Sequence, residues 1–299
     1  MQMIAQWELG RVTVIGAASQ VMEILEILVD TPDGVSVSDL SLRLGINKGS
    51  TSRLLTTLEG AGYLVKNPLT NRYELTLKLL AMTNRLTDRL GFPGSAQPTL
   101  NRLAAQVGEL VQLMAGEGDQ LYVIAKAEGD ARIAVKSLMG RVMELHASAA
   151  GKAWLSAFPL DEATAILARQ GLRRLTERTV TDLGLLRDEL GRSAERGYAE
   201  QEEELLPHVA AIAVPLRHRV TGAPLGAMDI VGPTFRFSRE RRLSHLQALR
   251  EAAEEVMAVW PEGFARGWRI GQTVGAGAGV RAFLERGAGS ARPHEVRGR

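Results

Sequence analysis

Apolar residues near the N-terminus recur at helical spacing. They predict a first helix over 17–29, which proline and glycine at 32–34 bring to an end. A short helix reaching Leu44 and a longer helix from about Lys48 to Glu59 follow, and Gly45 between them suits a tight turn with positive φ. The apolar positions that define the first helix are Val21, Ile24, Leu25 and Leu28.

The third of these helices is followed by a predicted β-hairpin. Residues 63–66 and 72–75 have the composition of two short strands, and the turn-forming residues 67–71 connect them. This order is that of a winged helix-turn-helix: three helices, with a glycine-containing turn between the second and the third, followed by a hairpin. A further helix over 77–90 and a break at 91–94 end this part of the chain.

From residue 97 onward the pattern mixes helices with strands and contains no internal repeat. The predicted helices cover 98–107, 149–155, 160–168, 183–196 and 239–259, and the predicted strands cover 110–114, 120–125, 132–137, 211–216 and 223–230, with a hairpin turn at 116–119. We therefore predict four segments. They are a winged helix-turn-helix at 15–76, a linker helix at 77–93, an α+β domain at 94–260 and a flexible glycine- and arginine-rich tail at 261–299.

The third helix has two contrasting faces. At 100° per residue, one stripe consists of Thr51, Leu54, Leu55 and Leu58, and the opposite side consists of Gly49, Ser52, Arg53 and Thr56. A helix that enters the major groove needs small side chains, so that its backbone can approach, and donors for base edges and phosphates. The outer face has both. The alternative is a small helical domain with a solvated polar face, because helix-turn-helix units also occur in proteins that do not bind DNA.

The distribution of charge supports the DNA interpretation better than the net charge of +2 does. Residues 262–299 hold seven arginines and three acidic residues, so this segment alone has an excess of four positive charges and the rest is slightly acidic. Between Arg43 and Arg72, five cations accompany the single anion Glu59. These cations are Arg43, Lys48, Arg53, Lys66 and Arg72, and the last two flank the hairpin tip, where a wing would meet phosphates.

Composition narrows the class of protein. A chain of 299 residues with 45% hydrophobic residues suggests about two domains. It has no cysteine, which excludes disulfides, thiolate zinc sites and a cysteine nucleophile and fits a reducing compartment. Residues 1–14 lack the continuous apolar core of a signal peptide, and no run approaches the roughly 18 apolar residues of a membrane span. We expect a cytoplasmic protein with no membrane partner.

Several ordered motifs resemble the IclR family of bacterial transcriptional regulators. Residues 50–63, preceded by 40–46 and followed by Arg72-Tyr73-Glu74-Leu75, resemble the family's DNA-binding domain. The downstream segments that resemble the family are 145–153, 196–199 with Glu203, 212–215 and 226–233. The resemblance spans about 17–258 and is specific because the motifs occur in the family's order.

The resemblance implies an α+β fold in which the winged helix-turn-helix is joined by a linker helix to a GAF-like effector-binding domain. It also implies a sequence-specific transcription regulator that binds double-stranded DNA at a palindromic operator as a dimer or a dimer of dimers. We expect a repressor of a catabolic operon that responds to a small organic or aromatic acid, with no enzymatic activity and no cofactor. The predicted DNA-binding residues are Ser38, Arg43, Lys48, Gly49, Ser50, Ser52, Arg53, Thr56, Lys66 and Arg72. The predicted effector-binding residues are Met143, Ala149, Ala150, Gln201, Val209, Ala211, Asp229 and Val231.

The predicted effector pocket departs from the family pattern. Gln201 stands where many relatives have an acid, Ala211 replaces a commonly polar residue, and Asp229 and Val231 take positions that often carry hydroxyls. A buried carboxylate is costly unless it is paired or hydrogen-bonded. Asp229 therefore accepts a hydrogen bond from a hydroxyl or amine of the effector, or it points outward by strand alternation, or it pairs with a neighbour such as Arg217 or His218. The helix opening at 149–151 has N–H groups that favour an anion or a carbonyl.

Other chemical interpretations are weaker. Lys48-Gly49-Ser50-Thr51 and Gly151-Lys152-Ala153 lack the order and flanking residues of a phosphate loop. The acidic run 200–204 is typical of solvated surface. A metal site formed by His208 and His218 with Asp229 is a minor alternative, because isolated histidines are more often structural.

Two other classes of function remain open. A small-molecule-binding enzyme would turn over its ligand, although the sequence has no catalytic constellation to support one. A constitutive DNA-binding protein whose second domain only dimerises would not respond to a ligand. The arginines of the tail add phosphate contacts in one interpretation and belong to an inert extension in the other.

Overall fold

The computed structural model of the chain describes residues 16–131, 135–137 and 139–261. It divides after Leu90 into two compact units. The tail predicted at 261–299 lies, apart from Pro261, outside the described residues.

The described part of the first unit, residues 16–90, contains four helices and a hairpin. Its elements are α1 (Gly16–Val29), α2 (Val37–Leu44), α3 (Lys48–Gly60), β1 (Leu64–Lys66), β2 (Tyr73–Leu75) and α4 (Lys78–Leu90). β1 and β2 pair antiparallel, and a bridge between Val35 and Tyr73 joins the segment before α2 to the hairpin. The predicted helix-turn-helix and wing are confirmed, with bounds within one or two residues of the prediction.

Local contacts fix where α2 and α3 begin and end. The hydroxyl of Ser36 accepts the Asp39 amide at 3.1 Å, and the side-chain oxygen of Asn47 accepts the Ser50 amide at 2.8 Å. Gly45 closes α2 with φ at 66°, as the turn required. These caps set the short connection that holds α3 against α2.

The core of the first unit draws on α1, α2, α3 and the hairpin. Its buried side chains are Ile24, Ile27, Leu28, Val35, Leu40, Thr51, Leu55, Leu58, Leu64 and Tyr73. The buried Thr51 hydroxyl donates to the Asn47 carbonyl at 3.1 Å, so a polar group within this core is satisfied. In contrast, α4 buries none of its residues.

The second unit is an antiparallel sheet covered by helices. Its helices are α5 (Gln97–Val107), α6 (Ala149–Leu155), α7 (Leu160–Gln170), α8 (Leu183–Arg196), α9 (Arg239–Ser244) and α10 (Leu246–Ala258). Its strands are β3 (Leu110–Glu117), β4 (Gln120–Ala127), β5 (Ala199–Glu202), β6 (Val209–Arg217) and β7 (Pro224–Pro233). The strand order is β4-β3-β7-β6-β5, which places β7 at the centre.

Two hydrophobic clusters lie on opposite faces of this sheet. α6, α7 and α8 pack on one face, where Ala227 and Val231 of β7 point. α5 and α10 pack on the other face, where Met228 and Ile230 point. The alternation along β7 follows from the two-residue period of a strand, and both faces are apolar because both are covered. The predicted α+β fold class is confirmed.

The second unit differs from the predicted elements at four places. The hairpin turn is shorter, because β3 extends through Glu117. The predicted strand 132–137 is irregular at 135–137, and the remainder lies outside the described residues. The single C-terminal helix is interrupted at His245, and β5 was not predicted because its sequence reads as an acidic surface run.

Among the described helices, none combines the length and the apolar character that crossing a bilayer requires.

Candidate functional site

The outer face of α3 is exposed and polar. Thr51, Leu55 and Leu58 are buried, whereas Gly49, Ser52, Arg53 and Thr56 are exposed. The two-faced arrangement predicted for this helix is therefore present, and its small outer side chains leave the α3 backbone open to approach. Ser50 is half-buried, and its hydroxyl accepts a hydrogen bond from the Arg53 guanidinium at 3.3 Å.

The other predicted DNA-binding residues surround this face in sequence. Ser38 and Arg43 are exposed on α2, and Lys48 is exposed at the start of α3. Lys66 is exposed at the end of β1. Among described acidic side chains, Glu59 is the single one between Arg43 and Arg72, so the surface keeps the positive excess that phosphates require.

The wing tip is held by one asparagine. The side-chain oxygen of Asn67 accepts the amides of Leu69 and Thr70 at 3.0 and 3.2 Å, and its amide nitrogen donates to Glu74 at 2.9 Å. Arg72 flanks the tip as predicted, but its guanidinium donates to the Gly34 carbonyl at 2.9 Å. This bond fastens the wing to the segment before α2 and leaves Lys66 as the freer cation of the hairpin.

The second unit contains a small, partly open cavity of about 30 Å³ between the sheet and α6. Seven of the eight predicted effector-binding residues line it, namely Met143, Ala149, Gln201, Val209, Ala211, Asp229 and Val231. Ala150 is buried in the core and does not line the cavity. The lining residues that sequence reasoning missed are Gln112, Val135, Lys136, Ser148, Leu205 and Leu206. Gln112 interrupts the apolar run of β3 and was a signal of the same kind as Asp229.

Asp229 lies on the central strand and points into the cavity with 2% of its surface exposed. Its Oδ1 has no hydrogen-bond partner among the described residues. Burial raises the pKa of this carboxyl well above its usual range, and a backbone hydrogen bond from Gln112 opposes the shift. The cavity therefore contains a carboxyl group that the described protein leaves partly unpaired.

The alternatives considered for Asp229 are both wrong. It does not point away from the core, and Arg217 is engaged elsewhere, donating to the carbonyls of Ser156 and Ala157 at 3.2 and 2.8 Å. His218 accepts the amides of Val220 and Thr221 in its own turn at 3.3 and 3.2 Å. The direction of the Asp229 side chain follows from the two-residue period of the strand, because Asp229 shares the face of Ala227 and Val231.

The three neutral polar side chains of the cavity are hydrogen-bonded to the protein. Gln112 donates to the Ser137 hydroxyl at 2.9 Å. Gln201 donates to the Val209 carbonyl at 3.3 Å and accepts the Glu204 amide at 3.1 Å. The Ser148 hydroxyl caps α6 by accepting the Gly151 amide at 3.0 Å, so one N–H group of the first turn is already satisfied.

A buried ion cluster lies behind the cavity wall. The Lys152 ammonium donates to Glu189 at 2.7 Å and to both oxygens of Glu204 at 2.8 and 3.0 Å. Burial raises the pKa of the Glu204 carboxyl, Lys152 acts in the opposite direction, and Glu189 raises it further. The cluster joins α6 and α8 to the segment after β5.

The expectation that residues 200–204 are a solvated charge run is wrong. Glu200 and Glu202 both pair with the buried Arg242, at 3.4 and 2.8 Å, and Glu204 pairs with Lys152. The run forms β5 and its continuation, and its carboxylates neutralise cations that packing has removed from water.

The histidines proposed as a minor metal alternative do not meet at Asp229. His208 lies 3.3 Å from Glu203 on the surface, and His218 is in the β6–β7 turn. Within the described ranges, no three histidine or acidic side chains are grouped closely enough to hold a metal ion.

Two protein-family models together match nearly the whole described chain. Residues 17–68 match the family model described as the IclR helix-turn-helix domain, and residues 85–258 match the one described as the C-terminal domain of bacterial IclR transcriptional regulators. The second match alone covers more than half of the chain.

Individual relatives agree with the family models. The HTH-type transcriptional regulator KdgR of Escherichia coli (strain K12) is 30% identical over 244 residues, covering 82% of this chain and 92% of that protein. The HTH-type transcriptional repressor AllR of Klebsiella pneumoniae is 29% identical over 233 residues, covering 78% and 85%. The structure of an IclR homolog complexed with 4-hydroxybenzoate, from Microbacterium hydrocarbonoxydans, has a TM-score of 0.68 and 24% identity, covering 82% of this chain and 98% of that one.

Proposed function

Because the chain belongs to the IclR family of bacterial transcriptional regulators, we propose that it represses a catabolic operon by binding an operator and that a small organic acid in its cavity changes this binding. The protein acts in the cytoplasm, has no enzymatic activity and binds double-stranded DNA through α3 and the wing.

The single observation that carries the proposal is the outer face of α3. Its residues are small and exposed, and Arg53 and Lys48 supply positive charge without an adjacent acid until Glu59. Small side chains allow close approach of a helix to base edges, and the cations add phosphate contacts. Repression as the direction of control is supported by a relative of this chain, AllR, which is named a transcriptional repressor.

The exposed apolar residues of the first unit support assembly with a second copy. α4 buries nothing yet carries Leu80, Met82 and Leu86 at 57%, 40% and 55% exposure. A second copy that covers them would place two α3 helices on a palindromic operator, since the symmetry of a dimer is matched by the symmetry of its site. The proposed assembly is a dimer or a dimer of dimers.

The cavity supports the role of an effector site. It is lined by apolar residues with a few polar groups, which is typical of a small-molecule site. Among the described lining residues, the one serine, Ser148, is occupied as a helix cap, which favours binding over nucleophilic chemistry. An acid-type effector is supported by analogy with the homolog that was crystallised with 4-hydroxybenzoate.

The test is fluorescence anisotropy with the DNA immediately upstream of the chain's own coding region. Tight binding that far exceeds binding to a scrambled duplex, at two salt concentrations, is the expected result. Equal and steeply salt-dependent binding to both duplexes would contradict the proposal for that operator, because only phosphate contacts would remain. Candidate acids are then added to the complex, and product analysis of the same mixtures distinguishes a regulator from an enzyme.

A matched pair of variants connects the result to the proposed surface. Ser52→Ala removes a hydroxyl from the exposed face of α3, and Thr57→Ala removes one from the same helix outside the predicted set. Weaker operator binding is expected for Ser52→Ala alone. A constitutive DNA-binding protein would show operator binding that no small acid alters.

A further inference from the structure

The cavity has ionisable groups of opposite type at two depths. Among the residues described, two ionisable side chains line it: Lys136, which is exposed, and Asp229, which is buried on the central strand β7. The remaining lining residues are apolar or neutral. A ligand that fills this space therefore meets a cation near the solvent and a carboxyl group in the interior.

One oxygen of the interior carboxyl lacks a donor in the described part of the chain, although the backbone of Gln112 supplies one hydrogen bond to the group. Its Oδ1 is unpartnered within the described ranges. Gln112 on β3 directs its amide to Ser137, and β6 places Ala213 opposite Asp229. The nearby buried cation of α6, Lys152, is held by Glu189 and Glu204.

We propose that the effector is a zwitterionic acid, whose carboxylate lies toward Lys136 and whose protonated nitrogen donates a hydrogen bond to Asp229. The inference rests on the proposed function and narrows its effector class. A charged nitrogen suits the site better than a hydroxyl, because a buried ionised carboxylate is stabilised by an opposite charge as well as by a donor. A hydroxyl supplies the donor alone.

The protonation of Asp229 in the ligand-free chain agrees with a zwitterionic effector. Burial raises the pKa of Asp229, so the carboxyl holds its proton more strongly when no ligand is present. An ammonium group next to it favours the ionised form, and the proton passes to solvent when the ligand binds. A hydroxyl ligand brings no charge and causes no such release.

The test is isothermal titration calorimetry of the full chain with two sets of matched acids. One set is 4-(aminomethyl)benzoate, 4-(hydroxymethyl)benzoate and 4-ethylbenzoate, and the shorter set is 4-aminobutanoate, 4-hydroxybutanoate and pentanoate. We expect the amine to bind about tenfold or more tightly than its hydroxyl partner in one set, the order of a charge-assisted hydrogen bond against a neutral one. The apparent enthalpy for the amine should differ between two buffers of different ionisation enthalpy.

Two variants locate the preference. Asp229→Asn keeps the shape of the side chain and should abolish the preference for the amine, whereas Lys136→Met should weaken all acids of that set alike. Equal affinity of amine and hydroxyl for the unmodified chain, or no binding by either set, overturns the inference without relying on a variant. Operator binding is measured on the same samples. If the protein binds the operator but shows no preference for the amine, only this inference fails. If the protein does not bind the operator, the proposed function fails.

Discussion

The ammonium group of Lys152 lies 2.8 and 3.0 Å from the two carboxylate oxygens of Glu204, and the lysine side chain is 1% exposed. Lys152 follows the cavity residue Ala149 on α6, and Glu204 precedes the cavity residues Leu205 and Leu206. The pair therefore ties two walls of the cavity together. It also links the cavity to Gln201, whose side-chain oxygen accepts the Glu204 amide.

Lys152→Met should lower the free energy of unfolding by about 3–5 kcal/mol. The substitution leaves Glu189 and Glu204 close together without their shared cation, and Glu204 is largely buried. Urea unfolding of the second unit, followed by tryptophan fluorescence, measures the change. Lys126→Met is the control, because Lys126 pairs with Glu128 on the surface and such pairs contribute about 0–1 kcal/mol. Equal effects of the two substitutions would show that the buried cluster has no special role.

Asp229→Asn should stabilise the ligand-free chain increasingly as pH rises. The folded chain holds the Asp229 proton more tightly than the unfolded chain, because burial raises the pKa of this carboxyl. Its unfavourable contribution is absent below the pKa of an unfolded aspartate, about 4, and grows as pH increases toward the folded-state pKa. Between these two pKa values, the gain should grow by about 1.4 kcal/mol for each pH unit. Thermal unfolding from acid to neutral pH measures it, and a gain that does not vary with pH would contradict the prediction.

Arg53→Ala should weaken operator binding by about 1–3 kcal/mol. Arg53 is exposed on the outer face of α3, so its removal takes away a base or phosphate contact and leaves the core of the first unit unchanged. Anisotropy titrations and thermal unfolding are measured together. Arg192→Ala, which removes an exposed arginine from α8, controls for the loss of one positive charge. If both variants bind the operator alike, α3 is not the contact surface.

Gly45→Ala should destabilise the first unit by about 1–2 kcal/mol. Gly45 has φ at 66° at the end of α2, a conformation that a side chain disfavours even though open space surrounds it. Gly60→Ala is the matched change, since Gly60 is the last residue of α3 and has no neighbour within 4 Å of an added Cβ. It should be neutral or slightly stabilising, because alanine favours a helix more than glycine does. Circular dichroism during thermal unfolding compares the two, and a harmless Gly45→Ala would refute the role of the turn.

Helical periodicity and cap residues were sufficient to predict the helices of the first unit. The apolar stripe of α3, its outer face and the turn at Gly45 all follow from local geometry, because a 3.6-residue period assigns each side chain to a face within a few turns. The same rule failed for 239–259, where one apolar stripe continues across the interruption at His245. Periodicity indicates which residues face the core. It does not reveal an interruption of the helix when the residues on both sides still face the core.

The sequence by itself determined the fold class and the helix-turn-helix with its hairpin, because local patterns carry that information. The resemblance to the IclR family added seven of the residues that line the cavity and missed six others. Only the tertiary structure decided the direction of Asp229, which depends on the register of β7 between β3 and β6. Tertiary structure also decided that the acidic run 200–204 serves the buried cations Lys152 and Arg242. Those partners are distant in sequence, and a charge becomes costly, and so needs a partner, only when packing removes it from water.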